Sequence, residues 1–344
     1  MMFTLKNTYM KSSIKQFALV LLSLVYSLSN AQTDRPVLDI MLNNYQYPYE
    51  VHYLNLNSQG EKIKMAYMDV SSQQPNGRIV LLLHGKNFNG AYWKATIQAL
   101  NSAGYRVIIP DQIGFGKSSK PTAYQFTFQQ LAQNSKLLLD RLGLNRVTLL
   151  GHSMGGMLAT RFTLMYPETV EKLVLENPIG LEDWKLVAPY TSIDQNFQTE
   201  LNAGYESAKR YQSNFYYDNK WKPEYDEWVY LLTGWTKAKD YSVVAMVNAK
   251  TSDMIFTQPV VYEFQHIKTP TLLIIGTRDR TAIGKANVKD PKVAAKMGLY
   301  QYLGKETQQK IKGSKLVELD NVGHLPHIEA FDRFIKPLIS FLKD

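Results

Sequence analysis

Val147-Thr148-Leu149-Leu150-Gly151-His152-Ser153-Met154-Gly155-Gly156 is the stretch whose reading decides the fold. It opens on the end of a strand, Arg146–Leu150, and closes on the start of a helix. Met154, Met157, Leu158, Phe162 and Met165 recur at helical spacing and mark one helical face. A serine set between a strand and a helix in the pattern Gly-x-Ser-x-Gly stands on a tight, strained turn. A Cβ at Gly151 or Gly155 would collide with the adjoining turn. The turn lifts the Ser153 hydroxyl out at the edge of the sheet and beside a helix N-terminus, where the dipole favours a developing negative charge. The bare motif can also be a loop serine; the strand before it and the helix after it read Ser153 as a nucleophile.

The same alternation runs outward in both directions. Val51–Ser58 and Glu61–Val70 read as two strands joined by a turn at Ser58-Gln59-Gly60. Arg78–Leu83 is a continuous apolar run, as a strand buried on both faces should be; Tyr105–Pro110 reads as the next strand, Lys172–Leu175 and Thr271–Ile275 as further buried strands, and Lys315–Leu319 as the last. Helical segments fall between them at Ala91–Ala103 and Thr127–Leu142, and Phe331–Leu342 closes the chain as an amphipathic helix. This pattern predicts an α/β fold, a mostly parallel sheet with helices on both faces. It breaks once. Residues 181–265 hold no convincing buried strand and carry four of the five tryptophans, Trp184, Trp221, Trp228 and Trp235. The expected organisation is therefore a core of residues 32–180 and 266–344 with a helical cap, 181–265, inserted between two sheet strands. Residues 32–50 read as an exposed lead-in.

Composition narrows the chemistry. Apolar residues make up 45% of the 344 residues, enough for a sizeable core. The absence of cysteine removes disulfides, thiolate metal sites, a Cys nucleophile and a lipoprotein anchor. Residues 1–31 read as a signal peptide. Lys6, Lys11 and Lys15 precede an apolar run, Phe17–Leu28, that is short for a membrane span, and Ser29-Asn30-Ala31 offers small residues for cleavage before Gln32. The expected location is periplasmic or secreted. Without its three leader lysines the chain has 36 basic and 30 acidic residues, or +6. The basic residues are scattered, and the modest cluster from Lys285 to Lys312 reads as a solvated helical surface and not a nucleic-acid groove. No second membrane span is expected, and the sequence carries no signal of oligomeric state.

Five motifs together resemble the α/β-hydrolase superfamily: His84-Gly85, Asp111-Gln-Ile-Gly-Phe-Gly-Lys-Ser118, the Ser153 turn, Gly276-Thr-Arg-Asp279 and Gly323-His324. They span about Arg78 to His327. The resemblance implies the roles that follow. His324, after the last strand, stands where the family carries its catalytic base; its rival His327 is expected to pack or face solvent. Asp279 completes the order Ser153, Asp279, His324 that this fold uses, and Glu176, at the end of the preceding strand, is the alternative acid. The oxyanion donors would be the N–H groups of Met154 and Lys86. His84 and His152 flank the site and are expected to be structural, while His52 and His266 sit in unremarkable contexts. Asp111–Ser118 reads as structural support.

Asn87, Phe88, Trp184, Trp228 and Trp235 are the candidates for the substrate pocket. Tyr225, Trp228, Leu232 and Trp235 form an apolar stripe on one expected helix; most of these side chains read as a cap packed on the core, and some as lining a pocket for an apolar or aromatic group on a small-molecule substrate. The expected activity is hydrolysis of a carboxylic ester or lactone through an acyl-enzyme, with no metal and no organic cofactor. Carbon–carbon or amide bond cleavage on the same triad is the alternative, and a non-catalytic binder of small molecules is the alternative of another class. Relatives that cleave halides or epoxides use an Asp nucleophile, where this chain has Ser153.

Overall fold

The computed structural model describes residues 35–344, so the expected leader, residues 1–31, lies outside the described residues. Eight strands form one sheet: β1 (Val51–Ser58), β2 (Glu61–Val70), β3 (Ile79–Leu83), β4 (Arg106–Pro110), β5 (Val147–His152), β6 (Val170–Glu176), β7 (Thr271–Gly276) and β8 (Lys315–Leu319). The order across the sheet is β1-β2-β4-β3-β5-β6-β7-β8. β2 runs antiparallel to both its neighbours, and the pairs from β4 to β8 are parallel. Ser58 pairs with Glu61, which leaves Gln59 and Gly60 as a two-residue loop, both at positive φ as the tight hairpin turn requires.

Alternate residues of each strand feed two separate cores. Leu81, Leu149, Leu173 and Leu273 belong to one, and Val80, Leu150, Val174 and Leu272 to the other. The helices divide between them. α1 (Lys94–Ser102) packs into the second core; α2 (Phe128–Arg141) and α3 (Met154–Met165) pack into the first. The Thr127 hydroxyl starts α2 by accepting from the Gln130 N–H at 3.0 Å.

Between β6 and β7 come α4 (Ile193–Leu201), α5 (Tyr205–Tyr216), α6 (Asp226–Thr233) and α7 (Tyr241–Thr257), and the described residues 181–265 contain no strand. Ser192 and Gln195 form a reciprocal capping box at the start of α4. α4 packs on α7, and α5 on α6. After β7, α8 (Tyr300–Lys310) joins the first core and α9 (Phe331–Lys343) the second.

Two expectations are corrected. The lead-in is not exposed throughout: from Leu38 onward exposed residues such as Asn43 and Gln46 alternate with buried ones. Leu38, Leu42 and Tyr47 are buried, the Leu38 N–H donates to the Gly234 carbonyl at 2.9 Å, and the Tyr47 hydroxyl donates to Asp111 Oδ2 at 2.7 Å. These contacts give apolar side chains a partner that hydropathy along the chain does not reveal. Nor do Tyr225, Trp228, Leu232 and Trp235 share one buried helical face. Tyr225 lies in a 3-10 turn ahead of α6 and Trp235 lies beyond its end, so the buried side chains of α6 are Val229, Leu231 and Thr233.

Candidate active site

The site lies where β5, β7 and β8 end, the carboxyl edge at which open parallel sheets hold ligands. Ser153 leaves β5 with φ 55° and ψ −121°, a strained conformation for a residue with a Cβ. The turn is tight enough to explain its glycines. A Cβ on Gly151 would lie 2.1 Å from the Gly155 carbonyl oxygen, and one on Gly155 would lie 2.1 Å from the carbonyl oxygen of Leu83 on β3. The second clash is with the neighbouring strand and not with the turn itself.

His324 Nδ1 lies 2.6 Å from Asp279 Oδ2, and its Nε2 lies 2.9 Å from Ser153 Oγ. Asp279 also accepts from Asn177 Nδ2 at 2.8 Å and from the Thr281 N–H at 2.8 Å, so its acceptors are satisfied while it is fully buried. Burial alone would raise the Asp279 carboxyl, but the His324 charge and these hydrogen bonds outweigh it and hold the group below its ordinary value. An ionised Asp279 accepts the Nδ1 proton of His324. That leaves Nε2 as the acceptor for the Ser153 hydroxyl proton, the arrangement in which the serine can be deprotonated as it attacks.

Glu176 does not share this histidine. Its Oε1 accepts from the His327 N–H at 2.9 Å and lies 2.8 Å from His327 Nδ1. His327 is buried, stacked on Trp93 at 4.4 Å between ring centroids, and does not face solvent. The alternative acid thus pins the segment just beyond His324. His152 pins it from the other side, since its Nε2 lies 2.7 Å from the His324 carbonyl. Burial, with the neighbouring His324 and His327, pushes the His152 imidazole well below its ordinary value, so the ring is neutral. Its Nδ1 meets the Tyr92 hydroxyl at 3.1 Å, and that hydroxyl accepts from the Gly85 N–H at 2.9 Å. One consistent set of protons follows: Gly85 N–H to Tyr92, Tyr92 O–H to His152 Nδ1, His152 Nε2–H to the His324 carbonyl.

The loop after β3 is held as firmly. The Gly85 carbonyl accepts from Phe88 N–H at 3.2 Å and lies 2.9 Å from His84 Nδ1, while His84 Nε2 accepts from the Gln112 N–H at 3.0 Å. Asn87 sits at φ 67°, the third position of a turn that favours Gly or Asn. Because a trans peptide opposes its C=O and N–H, clamping the Gly85 carbonyl also aims the Lys86 N–H. The Met154 N–H is at the first position of α3, where no intrahelical acceptor exists. Asp111 supports the loop through the Gly90 N–H at 2.7 Å and the Lys117 N–H at 2.7 Å.

A cavity of about 170 Å³ opens on Ser153 and His324, with walls that include Lys86, Asn87, Tyr211, Tyr216 and Thr281. Of the five pocket candidates only Asn87 is among its lining residues. Phe88 stacks on Tyr92 at 4.9 Å inside the core. Trp184 is buried in the first core with its indole N–H on Glu182, while Trp235 is buried in the second and Trp228 packs against it. Large indoles serve here as packing for the helices between β6 and β7. The sequence reading missed Tyr216, whose ring stacks on His324 at 4.8 Å, and also missed Tyr211, Ser252 and Ile255. No spacing signal marks them, since their elements α5 and α7 reach the site only by packing. Ile179 and Thr281, also in the wall, stood within reach of a reading by neighbourhood, just after β6 and two residues after Asp279.

Among the described residues no group of three or more His, Cys, Asp or Glu is placed to hold a metal ion, and no helix is long and apolar enough to cross a membrane. Residues 78–331 match the model of the alpha/beta hydrolase fold family. The chain is similar to a probable hydrolytic enzyme from Pseudomonas aeruginosa, with 49% identity and a TM-score of 0.88 over 90% of this chain and 99% of that one. It is 36% identical over 126 residues to a 2-hydroxy-6-oxononadienedioate/2-hydroxy-6-oxononatrienedioate hydrolase from Paraburkholderia phymatum, covering 36% of this chain and 43% of the relative. It is 32% identical over 142 residues to a haloalkane dehalogenase from Psychrobacter cryohalolentis, covering 40% and 46%. The chain thus spans less than half the length of these two curated relatives.

Proposed function

This chain belongs to the alpha/beta hydrolase family, and from that premise we propose that it hydrolyses a short carboxylic ester or lactone through an acyl-enzyme on Ser153. The observation that carries the reading is the continuous hydrogen-bonded line from Asp279 through His324 to Ser153, at 2.6 and 2.9 Å. Ser153 Oγ attacks the carbonyl carbon while His324 Nε2 takes its proton. The N–H groups of Met154 and Lys86 hold the oxyanion. Collapse breaks the carbon–oxygen bond, and His324 returns the proton to the departing alcohol. Water then attacks the acyl-enzyme, giving a proton to His324, and the acid leaves as Ser153 regains its hydrogen.

A serine in the nucleophile position argues against a dehalogenase-like reaction, which the family carries out with Asp. The helical residues 181–265 act in this reading as a cap that sets substrate choice. The leader-like residues 1–31 support export to the periplasm or medium. The test is a fluorophosphonate label together with a panel of short esters. Wild-type protein should be labelled at Ser153, and Ser153→Ala should lose both label and turnover while keeping its circular dichroism. Undiminished ester turnover by that variant sinks the reading.

A further inference from the structure

Among the described residues, Lys86 is the one lysine, arginine, aspartate or glutamate that lines the Ser153 cavity. Its position is unusual for a lysine, with the side chain only 14% exposed. A buried ammonium is costly unless it is paired and hydrogen-bonded. Lys86 is half-buried, and its ammonium has one ion pair and one hydrogen bond within the protein. Its Nζ donates to Asn87 Oδ1 at 3.0 Å, and the nearest carboxylate, Glu200 Oε1, stands 3.7 Å away, beyond hydrogen-bond reach. An ammonium has three donors, so donor capacity remains. Glu200 is itself held back on the helical segment, where its Oε2 accepts from Asn248 Nδ2 at 3.2 Å. Glu200 balances the charge of Lys86 without occupying the cavity, and it is absent from the wall.

From this juxtaposition we propose that Lys86 receives a carboxylate at the far end of a short acyl arm, making the substrate a monoester of a short dicarboxylic acid. The inference rests on the ester reading of Ser153. Size supports it: a cavity of roughly 150 Å³ accepts a molecule of benzene's bulk, so about 170 Å³ takes an arm of about six non-hydrogen atoms. Ile179, Ile255 and Ile283 offer apolar wall to the methylenes, and Lys86 offers the single charged anchor. The acyl arm is the part expected to carry the anion, because it stays in the cavity through both chemical steps while the alcohol departs after the first. Recognition on that arm therefore acts in both transition states.

The test compares monoethyl succinate with ethyl butyrate, esters of matching chain length that differ in the terminal carboxylate, followed by acid release at constant pH. Wild-type protein should favour monoethyl succinate by about 10- to 100-fold in kcat/KM, the range expected of a hydrogen bond to a charged group. The preference should appear mainly in KM. Lys86→Met should bring the ratio to about one, and Lys86→Arg should keep part of it, because it retains the charge. A wild-type ratio near one overturns the proposal. So does a ratio that survives in Lys86→Met, or an equal loss on both esters, which would assign the ammonium to oxyanion support instead. Calorimetric binding of the two esters to Ser153→Ala, with and without Lys86→Met, reads recognition apart from chemistry. If neither ester is turned over, the ester reading fails, yet Lys86-dependent binding of the anion alone upholds the recognition site and its absence removes it.

Discussion

Two carboxylate–histidine pairs end neighbouring strands of this sheet, and they differ in what stands at the far nitrogen. Asp279 follows β7 and holds His324 at 2.6 Å; Glu176 ends β6 and holds His327 at 2.8 Å. All four side chains are buried. His324 presents Nε2 to Ser153 Oγ beside the cavity, while His327 Nε2 is buried without a hydrogen-bond partner among the described residues, its ring against Trp93 and Tyr92. The comparison teaches that an acid and an imidazole at good distance do not make a catalytic dyad. Access and a nucleophile do, and the second pair is read as a clamp on the segment that carries the first.

The comparison breaks most sharply at Asp279. Asp279→Asn should lower kcat on a short ester by about 10⁴-fold, since the amide no longer stabilises the imidazolium or its tautomer. Steady-state rates within tenfold of wild type would erase the distinction between the pairs. The same position sets an acid limit. Its folded-state value lies below the unfolded one, so its stabilisation is complete at neutral pH and is lost as pH falls through the lowered value. Urea unfolding from pH 7 down to pH 3 should therefore show the stability gap between wild type and Asp279→Asn shrinking with acid; a constant or widening gap contradicts the assignment.

Glu176→Ala tests the other pair. Removing one partner of a buried pair should cost about 3 kcal/mol or more of stability. The residual kcat should stay within about tenfold to a hundredfold of wild type, well short of the Asp279→Asn loss. A kcat loss equal to that of Asp279→Asn, with stability unchanged, would make Glu176 the acid. Tyr92→Phe sharpens the picture further. It removes the hydroxyl between the Gly85 N–H and His152 Nδ1, leaving a buried donor unpaired at a cost of about 1–3 kcal/mol. About a tenfold fall in kcat with KM little changed is expected, and a change confined to KM would deny it a positioning role. The smallest effect belongs to Trp228→Ala. Trp228 packs against the second core and lies outside the cavity wall, so kcat/KM should change by no more than about twofold, a surface-like effect. A large loss would return the indole to the pocket.

Much of the architecture was legible because strands leave a direct mark, as alternation in the half-exposed hairpin and as apolar runs in the buried parallel strands. Lys315–Leu319 and both hairpin strands fall where their patterns place them, and β5 and β7 differ from expectation only at their ends. Ser153, Asp279 and His324 were legible for a related reason: each follows a strand, and strands in a parallel sheet deliver their ends to one edge. The burial of Leu38 and Leu42, the use of Trp184 and Trp235 as packing, and the arrival of Tyr216 over His324 were not legible. Each depends on contact between segments far apart in the chain.

The sequence by itself determined the order of strands and helices, the turn that exposes Ser153, and the residue types able to serve it, because each is written in local periodicity or in glycines that backbone crowding demands. Only the tertiary structure decided which carboxylate meets which histidine, and that Lys86 stands with Tyr216 and Thr281 in the wall around Ser153. Those choices rest on distances of a few ångströms between elements whose packing no local pattern encodes.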